Sequence, residues 1–120
     1  MANPKSEIRN SKSDGPLFRE MAVVGVGLIG GSLALAARKA GLVETVVGVE
    51  ADPAHREMAL AAGMVDRVTE RLSGDLARVD LVVLAVPVTA IAALLPEVAR
   101  LANGTCLVTD VGSVKGPILA

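Results

Sequence analysis

AVVGVGLIGGSLALAARKAG, residues 22–41, carries no charge before Arg38 and reads either as a membrane span or as a nucleotide cradle. A spanning helix needs about 20 consecutive apolar residues to cross about 30 Å of hydrocarbon. The uncharged run here, residues 21–37, falls just short. It also holds Gly25 and Gly27 inside a Val-rich segment that prefers an extended backbone. Membrane helices space glycines for packing as GxxxG rather than GxG. The better parse is strand, glycine turn and a small-residue helix over 28–40, capped by Gly41.

Outward from this stretch, short Val/Leu runs alternate with Ala-rich segments, the pattern of repeated βα units on a parallel sheet. Strands are expected at 22–26, 45–49, 67–69, 81–85 and 105–109, and helices at 28–40, 53–62 and 88–101. Asp52 before Pro53 supplies an N-cap and a residue pre-set for the first turn, and Gly63 stands where a C-cap glycine belongs. The run LVVLAVPVTAIAALL, 81–95, is divided by Pro87 and is too short to span a bilayer.

The 120 residues suit one domain. Hydrophobic residues make up 52% of the chain with Phe18 as the only aromatic, so Val, Leu, Ile and Ala must build the core. A net charge of −1 with acids and bases interspersed gives no footprint for nucleic acid or an anionic membrane. One cysteine, Cys106, excludes an intrachain disulfide and a multi-cysteine metal site, and fits a reducing, cytoplasmic setting. Residues 1–20 are polar, lack the apolar core of a secretory signal and read as a flexible lead-in to a domain over 21–120.

Gly25-Val26-Gly27-Leu28-Ile29-Gly30 is GxGxxG, a weak signal alone but one that here follows a strand and opens a helix. In a dinucleotide fold Gly25 permits the tight turn, Gly27 clears room for the pyrophosphate and Gly30 allows close helix–strand packing. The N–H groups of the helix start, at Leu28 and Ile29, then meet the phosphates. Glu50, twenty residues after Gly30, ends the second strand and can accept hydrogen bonds from the adenosine ribose. An acid there repels a 2′-phosphate, and Ala51 offers no compensating charge, so NAD is expected over NADP, although Arg56 lies one helical turn on. Asp52 competes with Glu50 for the ribose but is better used as a cap.

VGVGLIGGSLALAARKAG, the later LAVPV and above all VTDVGSVKG together resemble the prephenate/arogenate dehydrogenase family of tyrosine biosynthesis, over about 21–116. The resemblance implies a Rossmann-type doubly wound parallel sheet followed by a helical domain that completes the substrate site and forms a homodimer. It implies oxidative decarboxylation of prephenate or arogenate, with hydride passing to the nicotinamide. It also implies that Ser113 hydrogen-bonds near the substrate hydroxyl and the nicotinamide; Pro87 and Ser113 both lie beyond the carboxyl ends of the strands, where open α/β sheets bind ligands. Residue reading alone leaves Ser113 equally open as the N-cap of a following helix. The family's catalytic histidine stands in a downstream His-Pro segment that these 120 residues lack, so a truncated, catalytically incomplete cofactor domain is expected. His55, the single histidine, reads as a solvated surface residue. The alternatives are a non-catalytic NAD-binding or sensing domain and the cofactor half of another two-domain dehydrogenase.

Overall fold

A computed structural model describes residues 15–111 of the chain. Its elements run β1 (Phe18–Val24), α1 (Leu28–Lys39), β2 (Val43–Val49), α2 (Pro53–Ala61), β3 (Arg67–Thr69), a 3-10 turn (Gly74–Arg78), β4 (Leu81–Leu84), α3 (Val88–Leu101) and β5 (Leu107–Asp110). The strands form one sheet in the order β3-β2-β1-β4-β5, and every pair is parallel. Strand order therefore reverses between β1 and β4. In open α/β sheets ligands bind beyond the carboxyl ends of the strands at such a reversal.

Both faces of the central strands are covered. Met21 and Val23 of β1 pack with Val46, Val83 and Ala34 on one side, while Ala22 and Val24 pack with Val82, Leu84, Ile91 and Val98 on the other. A strand buried on both faces reads as a continuous apolar run rather than as alternation, which explains the Val-rich segments. The segment that opened the membrane question is broken at the glycines, and no helix among the described residues is long and apolar enough to cross a membrane.

Every strand except β3 differs from expectation at one end or both: β2 starts at Val43 rather than Thr45, β4 ends at Leu84 rather than Ala85, and β1 and β5 are shifted at both ends. β1 begins at Phe18, four residues before the expected start and inside the expected lead-in, because backbone pairing orders its polar end: Phe18 N–H donates to Leu42 C=O at 3.0 Å. Arg67 adds an ion pair to Glu20 at 2.7 Å. β5 begins at Leu107 instead of Thr105, because Asn103 Oδ1 accepts from both the N–H and the hydroxyl of Thr105 and bends the chain there. β3, α3 and the cap residues stand where the sequence puts them. Gly41 and Gly63 follow α1 and α2 with φ of +73° and +74°.

Candidate active site

At the carboxyl ends of β1, β2 and β4 lies a cleft of about 550 Å³, within the usual size range of small-molecule sites. Gly25, Gly27, Glu50 and Pro87, each singled out from sequence, line it. Gly25 has φ +93°, and a Cβ on it would stand 2.7 Å from both Ala85 O and Val86 Cγ1, so only glycine fits this turn. Gly30 is buried beneath, where a Cβ would run into the Gly25 carbonyl oxygen. Its contribution is helix–strand packing, as expected. Gly27 differs: a Cβ there would meet no protein atom within 4 Å, and its extended φ of −92° suits any residue. Nothing in the packing of the described residues requires glycine at this position.

Gly27 is also the N-cap of α1, and it supplies no side-chain hydrogen bond to the helix start. The first intrahelical bond, Gly31 N–H to Gly27 C=O at 2.8 Å, begins only after the amides of Leu28, Ile29 and Gly30. The first turn carries no acid. α2 is built the other way. Asp52 Oδ1 accepts from Ala54 N–H at 2.8 Å and His55 N–H at 3.4 Å, and these two amides hold its carboxyl below the ordinary range. Asp52 is thus the cap, and the start of α1 is the helix end that favours an anion at the cleft. Leu28 and Ile29 themselves are exposed on the first turn of α1 and are not part of the cleft wall; Leu28 is 86% exposed.

Glu50 is held from two sides. Its Oε1 accepts from Val26 N–H at 2.8 Å and its Oε2 from Asp52 N–H at 3.0 Å, with the side chain 13% exposed. The carboxylate therefore ties the glycine turn to the end of β2 and still has outward lone pairs, an arrangement suited to vicinal hydroxyls. Gly25 N–H adds a 2.7 Å bond to Val49 C=O. Arg56 spends its Nη1 on the carbonyls of Glu50 and Ala51, at 2.8 and 3.0 Å.

His55, expected as a solvated surface residue, is about half exposed and lines the cleft, with Nδ1 3.7 Å from Glu50 Oε2. The structure adds residues that sequence reading passed over. Gly48, one residue before the end of β2, receives the buried Val26 side chain: a Cβ on it would stand 2.8 Å from Val26 Cγ2. An isolated glycine within a strand is a known mark of close approach. Leu72, from the crossover after β3, and Leu94 with Glu97, from α3, close the far wall. These come from chain segments remote from the glycines. Asp110 stands at the end of β5, in register with Leu84. Ser113 lies outside the described residues.

A family model described as the nucleotide-binding domain of prephenate dehydrogenase matches residues 33–120. The prephenate dehydrogenase of Lactococcus lactis subsp. cremoris is 32% identical over 104 residues, covering 85% of this chain and 28% of that protein. Synechocystis arogenate dehydrogenase superposes with a TM-score of 0.72 at 33% identity, over 82% of this chain and 34% of the other. Prephenate dehydrogenase from A. aeolicus, crystallised with hydroxyphenyl propionate and NAD+, gives a TM-score of 0.72 at 26% identity, over 77% of this chain and 32% of the other. The chain thus spans about a third or less of the length of these relatives.

Proposed function

Because the chain belongs to the prephenate dehydrogenase family, as its nucleotide-binding part, we propose that it binds NAD for the oxidative decarboxylation of prephenate or arogenate. The observation that carries this reading is Gly27, a glycine the protein's own packing does not require, at an uncapped helix start facing the cleft. A side chain there would fill the space a pyrophosphate needs, and the amides of Leu28, Ile29 and Gly30 are left to meet its oxygens. Glu50 accepts from the adenosine ribose hydroxyls with a carboxylate already oriented by two backbone amides. Pro87 starts α3 at the lip of the cleft and sets where the nicotinamide end can lie.

NAD, when bound, supplies the hydride acceptor. The chain's own residues bind and orient it, and Ser113 hydrogen-bonds the substrate hydroxyl beside the nicotinamide. Residues 21–120, extended back to Phe18 by β1, form the cofactor domain of a cytoplasmic homodimer whose helical part completes the substrate site. Sedimentation of the full-length protein tests the dimer.

Titration with NADH tests the cofactor reading. The chain has no Trp or Tyr, so cofactor fluorescence reports binding without background. NADH is expected to bind more tightly than NADPH, and Glu50→Ala to narrow the difference by removing the anion that repels a 2′-phosphate. Equal or tighter binding of NADPH by the unaltered chain would remove the ribose-acid argument. In the full-length enzyme, Ser113→Ala should lower kcat and leave NADH affinity unchanged; unaltered turnover would reduce Ser113 to a cap.

A further inference from the structure

We propose that the cleft selects the base of its dinucleotide, and that Glu97 does so by accepting a hydrogen bond from the exocyclic amine of adenine. The inference rests on the NAD reading above and goes beyond it to the residue that reads the base. With Glu50 on the adenosine ribose, the base must enter the part of the cleft beyond Glu50. That part is walled by Leu72 and Leu94, half-buried side chains that pack on the core cluster beneath the sheet and turn their remaining surface to the cleft. Two apolar walls accept the faces of a flat heterocycle, and specificity must come from a polar group at its edge.

Adenine presents an amine donor where hypoxanthine and guanine present a carbonyl acceptor. A carboxylate only accepts, so it favours the first and repels the second. Glu70 and Glu97 are the candidates in the cleft wall beyond Glu50. Glu50 N–H donates to Thr69 C=O at 2.9 Å, which holds Glu70 beside Glu50 at the ribose end. Glu97 stands one turn after Leu94 on α3, between the inward-facing Ile91 and Val98 positions and the solvent, so it overlooks the edge of the slot that Leu94 walls. Its ion pair to Arg100 spans 3.7 Å between two side chains about half exposed or more. Such a surface pair is weak and yields readily to a better partner.

The probe is reduced nicotinamide hypoxanthine dinucleotide, which carries the same fluorophore and presents a carbonyl where adenine has its amine, with an N1–H in place of the N1 acceptor. The unaltered chain should bind NADH about tenfold more tightly than this analogue, as fits one charge-assisted hydrogen bond. Glu97→Ala should bring the two to near parity, chiefly by weakening NADH. Glu97→Lys, which donates to the carbonyl, should turn the preference toward the analogue, an outcome that loss of structure cannot produce. Glu70→Gln should keep the original ratio. Parity in the unaltered chain, a ratio unmoved by Glu97→Ala, or a ratio that collapses in Glu70→Gln alone would overturn the assignment to Glu97. Absence of NADH binding altogether would instead remove the dinucleotide reading on which it stands.

Discussion

Two glycines three residues apart answer to different causes. Gly30→Ala drives a methyl group into the Gly25 carbonyl and toward Ala85 Cβ and Val23 Cγ1, both 3.1 Å away, so helix and strand must separate. Overpacking of this kind should cost about 3 kcal/mol, read as a lower urea midpoint. Gly27→Ala meets nothing in the protein and should change stability by no more than about 0.5 kcal/mol. Its larger relative Gly27→Val should keep the circular dichroism of the fold and abolish NADH binding. Retained affinity would mean that the phosphates lie elsewhere. The GxGxxG spacing made both glycines legible in the sequence, and the Asp52-Pro53 pair settled which acid caps α2. It did not show that Glu50 reaches Val26 N–H, because that bond joins segments 24 residues apart and depends on Gly48 letting Val26 approach.

At the scale of elements, Asp66 couples α1 to the sheet. It follows α2 and precedes β3, accepts from the Arg38 guanidinium of α1 and, at 2.8 Å, from Val46 N–H of β2. Burial of the carboxyl works against ionisation, but the Arg38 hydrogen bond, Val46 N–H and the charges of Arg38 and Arg67 prevail and lower its pKa. A carboxyl with a lowered folded pKa stabilises fully above its unfolded value of about 3.9, and that contribution is lost as pH falls through the folded value. Unfolding followed from pH 7 down to pH 2 should therefore show a loss of stability below about pH 4. Asp66→Ala should flatten part of that limb and cost about 2 kcal/mol at pH 7 by leaving the amide of fully buried Val46 without its acceptor. An unchanged acid limb would assign it to other carboxylates. The same scale shows why strand ends were the least legible feature. Periodicity marks apolar runs, whereas β1 starts at a polar stretch held by backbone pairing and β5 starts late because of one Asn side chain.

For the whole molecule, the β3-β2-β1-β4-β5 order brings the glycines after β1, the acid after β2, a crossover leucine and two residues of α3 to one end of the sheet. Sequence reading reached the first two because strand, turn and helix are consecutive there. The far wall depends on the chain crossing the sheet between β3 and β4, and no local pattern states which crossover residue lands beside which turn of α3. A ligand that touches all of these segments binds only the folded chain, so its binding free energy adds to global stability. NADH at 100 times its Kd should add about 2.7 kcal/mol. For a domain of this size that raises Tm by roughly 10–20 °C, since each kcal/mol is worth roughly 4–8 °C. NADPH at the same concentration should raise it less, and Gly27→Val, with an unshifted Tm of its own, should show no rise with either cofactor. A full NADH-dependent rise in Gly27→Val would show that the stabilising contact is made away from the glycine turn, and the cleft at the β1–β4 reversal would lose its claim to the dinucleotide.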